Sequence, residues 1–526
     1  MDGIGVLFMK RSTLQSGRQL TAWCVSPLVV LCAVLAGCDV GPKYVPPVAT
    51  APEVYKESPT QIEEAGEWTV AKPQDAALRG KWWEIYNDQD LNALEDQLDI
   101  DNQNIRQAFE NFMEARALVR EARSQYFPTV GVGGSYTLSQ TSSNVGSASS
   151  NVGSSSSTGA PGGKQSQVFA FPADVSWEPD LWGRVRNTVH ASQYTAQLTA
   201  ADLENERLTE QASLAEYFFE IRGQDALQQI LDDTVEADKK GLDSEQARYN
   251  NGVDDQISLV EAQTTLETAQ SAAINNKIAR AKYEHAIATL IGKPASTFSV
   301  PFVPRTSAPP PIPVGLPSQL LERRPDIAAA ERNMAAANAQ IRVADAAYYP
   351  TLTLSATGGV ESSAIKHILD WPSRFWSVGP SISETVYDGG LRRATVNQYI
   401  ATYYANVATY RQSVLTAFQQ VEDSLAEVRI LSEQIGRQQE AVDSSQKFLR
   451  LELGRYRSGI DPYLDVVIAQ TTLLGNQQAL TNLQVQEMAA SVQLIESLGG
   501  GWDRSQLPTP AQVSEKPSKS ETAIQH

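Results

Sequence analysis

Few side chains in this sequence stand where they could make or break a bond. The clearest is Cys38, which closes the run Leu35-Ala36-Gly37-Cys38 directly after an apolar stretch over 22–35. Small residues ahead of a cysteine suit cleavage, after which the sulfur can carry a lipid. The basic residues Lys10, Arg11 and Arg18 precede the stretch, which is too short to span a bilayer as a helix. Residues 1–37 therefore read as a lipoprotein signal peptide of the lipobox type, and Cys38 as the lipidated residue. Cys24 and Cys32 fall inside that signal, so no internal disulfide or cysteine metal site is expected afterwards. His190, His285, His367 and His526 are too scattered to suggest a metal site. No Ser/His/Asp order, Walker loop or zinc spacing is present. Gly131-x-Gly133-Gly134 sits in a strand pattern without a following Lys-Ser/Thr, so it is no phosphate loop. The chain reads as a non-enzyme without a cofactor.

Bulk properties narrow the class. The 526 residues carry a formal charge of −18, which argues against nucleic-acid binding. Charged residues are only 20% of the chain. Low charge in a polar chain suits surfaces that pack on each other or line a watery passage. No segment after the signal has 18 consecutive apolar residues. Any later membrane crossing must then use strands closed into a barrel, because only helices and closed barrels satisfy the backbone in lipid.

The elements that would position such surfaces are written twice. Ile105-Arg-Gln-Ala lies 222 residues before Ile327-Ala-Ala-Ala. At the same offset Arg120-x-Ala-x-x-x-Tyr-Phe-Pro-Thr matches Arg342-x-Ala-x-x-x-Tyr-Tyr-Pro-Thr. Further on the offset is 207: Arg248-Tyr-x-x-Gly252 matches Arg455-Tyr-x-x-Gly459, Gln263-Thr-Thr-Leu matches Gln470-Thr-Thr-Leu, and Gly292 pairs with Gly499. The Ser/Gly-rich stretch 139–163 supplies the extra residues of the first copy. The organisation that follows is a lipidated extension over 38–80, repeat 1 over 81–300, a Pro-rich linker over 301–317, repeat 2 over 318–502 and a disordered tail over 503–526. Each repeat has a helix, a strand pair (129–177; 351–387) and a helical hairpin (184–292; 391–499).

The hairpin helices are far longer than a globule needs. Residues 391–456 lack proline, and Val396, Ile400, Tyr403, Val407, Tyr410, Val414, Phe418, Val421, Leu425 and Val428 recur in steps of three and four. This seam, with one stutter, predicts coiled-coil packing over roughly 100 Å. Gly252 and Gly459 can end their helices in the left-handed conformation, and Asp254 and Asp461 are capping candidates for the helices that follow.

The strand segments alternate with period two. Val130, Val132, Tyr136 and Leu138 share one face, as do Phe169, Phe171, Ala173, Val175 and Trp177. Leu352, Leu354 and Ala356 repeat the pattern, and Trp376, Val378, Pro380 and Ile382 follow it. Segments of about ten residues with aromatic ends fit a transmembrane barrel, but four strands cannot close one. Several copies must share it, and three would supply twelve strands.

These residues resemble a known family. Cys38-Asp-Val-Gly-Pro-Lys-Tyr-Val-Pro46, Trp82-Trp83-x-x-x-Tyr-x-Asp88-x-x-Leu91 and Leu320-Leu-Glu-Arg-Arg-Pro-Asp-Ile327 are similar to strings of the TolC/OprM-type outer-membrane factors. Asp180-Leu-Trp-Gly-Arg184 and Tyr387-Asp-Gly-Gly390 resemble their strand-to-helix junctions. The lipobox and Leu-Leu-Glu-Arg-Arg-Pro-Asp point to the NodT-like efflux lipoprotein branch. The resemblance implies a membrane α+β fold: a trimeric twelve-stranded β-barrel, four strands per protomer, continuous with a periplasmic α-helical barrel. It implies a passive export conduit in the outer membrane, working with a periplasmic adaptor (membrane fusion) protein and an inner-membrane RND-type pump. It places a periplasmic gate at Leu464, Asp465 and Ile468. The family usually has aspartate where Ile468 stands, which argues against a double-aspartate, cation-binding gate. It also places adaptor contacts at Arg248, Tyr249, Gly252, Arg455, Tyr456 and Gly459. Asp39 departs from the usual outer-membrane sorting pattern, yet a barrel-bearing chain belongs in the outer membrane. A type I secretion channel and a pore-free periplasmic coiled-coil scaffold are the alternatives.

Overall fold

The computed structural model describes residues 40–47, 52, 55–57, 80–140, 142, 165–313 and 317–516. The signal peptide, Cys38 and most of the Ser/Gly-rich loop lie outside these residues. The described residues divide into two compact units: those within Met1–Lys43, Glu121–Val189 and Ala339–Tyr399 form one, and those within Tyr44–Arg120, His190–Asn338 and Ile400–His526 the other.

The first unit holds an antiparallel sheet. Its strands are β1 (Thr129–Val132), β2 (Ser135–Gln140), β3 (Gln165–Trp177), β4 (Thr351–Ser362) and β5 (Arg374–Ser383), in the order β1-β3-β4-β5 with β2 also on β3. The expected strand over 129–138 is split into β1 and β2. The register does not slip across the break, since Val132 faces Ala173 and Ser135 faces Ala170. The split falls at Gly133-Gly134, opposite Pro172, which has no N–H to give the ladder; the Gly133 N–H still donates to the Pro172 carbonyl at 2.9 Å. The last expected strand ends at Ser383, short of Tyr387.

Residues directly opposite in an antiparallel pair share a face. Val130 faces Val175, Tyr136 faces Phe169, Phe171 faces Val360, Ala356 faces Val378 and Leu352 faces Ile382. The alternation of all five strands thus adds up to one continuous apolar face. The other face carries Thr129, Asp174, Ser176, Thr357 and Ser377, with Thr357 donating to Asp174 at 2.7 Å. The apolar face is bare in the protomer: Val132 is 86% exposed and Trp376 81%. β1, β2 and β5 each keep one edge without a partner among the described residues.

The second unit is helical, and four of its helices continue into the first. The helices are α1 (Gln89–Asp101), α2 (Gln103–Ser124), α3 (Arg184–Asn250), α4 (Gln256–Leu290), α5 (Pro317–Arg323), α6 (Pro325–Ala346), α7 (Leu391–Arg457), α8 (Tyr463–Ser497) and α9 (Pro510–Ser514). Both α3 and α7 have 67 residues, and both α4 and α8 have 35. The two hairpins therefore correspond residue for residue at the offset of 207. None of the described helices is long and apolar enough to cross a membrane.

Two cores hold the second unit. Leu214, Phe218 and Ile221 of α3 pack with Met488, Val492 and Ile495 of α8 and with Trp82, Leu91 and Leu98. Val407, Tyr410, Val414, Val421 and Leu425 of α7 pack with Leu320, Ile327, Met334 and Leu494. This is the expected heptad seam. Ile400, near its start, is 36% exposed, so the chain does not cover that part of the seam itself. The Pro-rich linker is docked: Arg222 donates to the Pro301 carbonyl at 2.9 Å, the Val303 N–H to Asp225 at 2.8 Å, and Thr306 to Gln484 at 2.7 Å.

The tail corrects the expectation of disorder from 503. Thr509 caps α9 in a reciprocal capping box with Gln512, and Val513 is fully buried among Ala115, Val119 and Ala196. That buried side chain and the cap, with Gln197 donating to the Pro508 carbonyl at 2.8 Å and Arg116 to the Glu515 carbonyl at 3.2 Å, order a Pro/Ser-rich segment as far as 516.

Candidate functional site

The two hairpin tips are built by the same local chemistry. α3 ends where Gly252 takes φ +71, and α7 where Gly459 takes φ +71. The Val253 N–H reaches the Arg248 carbonyl and the Ile460 N–H reaches the Arg455 carbonyl, the 6→1 bonds of a Schellman end. Each turn is then clamped across its mouth. Arg248 Nε donates to Asp254 at 2.9 Å. Arg455 donates to Asp461 through Nε, and through Nη2 at 2.8 Å. Asp461 is held below the usual carboxylate range by that arginine. The capping assignment is corrected accordingly: Asp254 and Asp461 bind arginines, and Asp255 caps α4 by accepting from the Ile257 and Ser258 N–H groups. α8 begins after Pro462 with no side-chain cap.

The two tips differ in their tyrosines. Tyr249 is 40% exposed. Tyr456 is buried, its hydroxyl donates to Glu245, and the Arg248 guanidinium lies 5.1 Å from its ring centre. The expectation that Tyr456 forms an outer contact surface is therefore corrected, because the first hairpin already covers it. Arg455, Gly459, Tyr249 and Gly252 are exposed, and Arg248 is half-buried. Tyr456 stacks edge-on against Tyr463 with ring centres 5.7 Å apart, and both pack with Ala262 and Val466. Gly241 makes room for Tyr463: a Cβ there would stand 2.6 Å from the tyrosine oxygen.

Leu464 and Ile468 lie one turn apart on α8 and are about half exposed, at 47% and 49%. Asp465 is half-buried, and one oxygen each of Glu452, Asp461 and Asp465 lie within 4.8 Å of one another. Burial and the hydrogen bond to Asp461 push the Glu452 carboxyl up.

Two acids on the inner face of α3 had no part in the sequence reading. Glu245 is fully buried, and its Oε2 has no hydrogen-bond partner. Asp238 is 2% exposed, with Oδ1 likewise unpartnered. The offset of 207 could have flagged both, since it aligns Glu245 with Glu452 and Asp238 with Ser445. Nothing in the sequence marks them as buried.

Burial pushes the Asp238 carboxyl up to about 6. The Tyr463 hydroxyl of α8 is pushed up to about 12 by burial and by Asp238, Glu245 of α3 and Glu261 of α4, which all act on it. A folded-state value above the ordinary 3.8 means that the ionised form opposes folding. Stability should rise as pH falls from above 6 towards 4 and level off below. Asp238→Asn should stabilise the protein at pH 8 by about 1–2 kcal/mol and flatten that part of the profile. Thermal melts at pH 4.5, 6 and 8 check it.

The family model for outer membrane efflux protein matches residues 94–293 and 316–500. The chain is 29% identical over 481 residues to the probable efflux pump outer membrane protein TtgC of Pseudomonas putida, covering 90% of this chain and 95% of that one. It is similar to the solved outer-membrane channel OprN with a TM-score of 0.76 and 27% identity, over 88% of this chain and all of that one. The Campylobacter jejuni CmeC outer membrane channel has a TM-score of 0.78 at 20% identity, over 93% of this chain and 99% of that one, a likeness of fold.

Proposed function

The chain belongs to the outer membrane efflux protein family, and from that premise we propose that three copies close one twelve-stranded barrel around a passive export conduit. The chain serves as the outer-membrane component of an efflux pump. Its helical hairpins extend the conduit into the periplasm, and their tips meet a periplasmic adaptor that joins it to an inner-membrane RND-type pump. The pump supplies the energy; the conduit supplies a wall that the cargo does not have to cross.

One observation carries this reading. Among the described residues each protomer has a sheet with one bare apolar face, one polar face and two unpaired edges. In lipid an unpaired edge leaves backbone N–H and C=O groups unsatisfied at several kcal/mol each. Edge-to-edge closure with further copies removes them, turning the apolar face to acyl chains and the polar face to water. The exposed Arg455, Tyr249 and the two tip glycines then form the adaptor surface. Leu464 and Ile468 line the narrow end, where rings of apolar side chains exclude water. Asp465 adds a carboxylate next to that ring. Lipid on Cys38 assists anchoring.

Purification in detergent tests the proposal. The protein should run as a trimer whose mobility changes on heating, and it should conduct ions in planar bilayers. Material that stays monomeric in plain buffer with its sheet intact overturns the proposal.

A further inference from the structure

The two hairpins match residue for residue, so a polar group in one can be compared with its counterpart in the other. In the second hairpin the buried Ser445 of α7 is satisfied: Asn476 of α8 donates to its oxygen at 2.6 Å. In the first hairpin the corresponding residues are Asp238 of α3 and Ala269 of α4. The acceptor has become a carboxylate and the donor has become a methyl group. A cavity of about 400 Å³ lies there, lined by Asp238, Ala269, Thr265, Leu464, Val467 and Gln470 among others. Asp238 Oδ1 and Gln470 Oε1 are both buried there with no hydrogen-bond partner.

Two buried acceptors, one of them charged, call for a group that donates hydrogen bonds and carries positive charge. The rest of the lining is alkyl and threonine side chains with one further carboxylate, Glu261 of α4, and the size falls in the range of about 300–1,000 Å³ that holds small ligands. At the equivalent place in the second hairpin, serine and asparagine satisfy each other, whereas the aspartate and alanine of the first cannot. We propose that this cavity is a binding site for a small amphiphilic ammonium compound, its nitrogen bonded to Asp238 and Gln470 and its apolar body against Leu464 and Val467. The ammonium replaces the missing donor, and an ion pair so shielded from water is stronger than one at the surface. Because Leu464 forms part of the wall, an occupied site would also bear on the residue assigned above to the gate.

The test uses the full-length trimer in detergent and two probes of one shape, 2-(1-naphthyl)ethylammonium and the neutral 2-(1-naphthyl)ethanol, followed by saturation-transfer NMR and calorimetry. The ammonium should bind at least tenfold tighter than the alcohol. Asp238→Asn should remove most of that preference by removing the charge. Ala269→Asn should do the same by supplying the internal donor found in the second hairpin. Asp233→Asn, an exposed change on the same helix, should leave binding unaltered. Equal binding of the two probes, or ammonium binding that survives both Asp238→Asn and Ala269→Asn, overturns the proposal. So does the absence of saturable binding to the wild-type trimer, since water alone then satisfies the two oxygens. Heat-dependent mobility and bilayer conductance, measured on each variant, report separately on the conduit.

Discussion

Tyr456→Phe should raise the resting conductance of the reconstituted channel at least fivefold. The tyrosine hydroxyl is the one partner of Glu245 Oε1 among the described residues, and Oε2 has none. Glu245 is fully buried, so deleting the hydroxyl leaves both carboxylate oxygens dry and unbonded. An orphaned buried acceptor costs about 1–3 kcal/mol, and more when charged. While Glu245 stays ionised, the hairpins escape that penalty by parting far enough to hydrate it. A penalty of that size shifts the balance towards the parted arrangement by a factor of roughly five to a hundred or more. The double variant Tyr456→Phe/Glu245→Leu should return to within about twofold of wild type, because removing both partners leaves nothing to hydrate. Single-channel recordings on the wild type, both single variants and the double variant decide it. Equal conductance of the Tyr456→Phe variant and wild type would mean that this bond does not hold the hairpins together.

Gly499→Ala should cost about 3–5 kcal/mol and reduce the trimer to traces. Gly499 has φ +91, and a Cβ built on it would stand 2.1 Å from the Arg323 carbonyl oxygen and 2.7 Å from the carbonyl carbon. Both obstacles are backbone at the junction of α5 and α6, so no rotamer change relieves them. Strained φ and an overpacked contact add together. Gly292 is its counterpart: it has φ +65, and its Cβ would stand 2.5 Å from the Asp101 carbonyl oxygen, at the junction of α1 and α2. Gly292→Ala should be nearly as damaging. Gly252 has φ +71 with nothing within 4 Å, so Gly252→Ala should cost only about 1–2 kcal/mol. Heat-resistant trimer on gels, compared across the three alanine variants, gives the ranking. Equal damage at Gly252 and Gly499 would show that φ alone sets the cost.

Much of this molecule could be read from its sequence, because the relevant physics is local. A strand turns successive side chains to opposite faces, so Phe169, Phe171, Ala173, Val175 and Trp177 had to share one. A helix of sixty residues without a cap or proline, with apolar steps of three and four, had to lie against a partner along its length, as Val407 to Leu425 do. The offset of 207 gave both tips the same glycine-ended turn, since that motif is complete within six residues.

Other features depended on what a distant segment brings. Arg-Tyr-x-x-Gly is written at both tips, yet Tyr249 is exposed and Tyr456 is buried, because Glu245 and Arg248 of the first hairpin meet only the second tyrosine. Asp254 and Asp461 looked like caps, and the arginines six residues earlier claimed them once each turn had closed. The tail was polar and proline-rich, and it is ordered because Val513 finds a pocket formed by helices several hundred residues earlier. Asp238 is one acid among many on α3. That it is buried, that Ala269 denies it a donor, and that a cavity opens beside it follow only from how the helices pack. Local sequence fixes which conformation a segment prefers, while burial of a charge depends on neighbours that only the folded chain assembles.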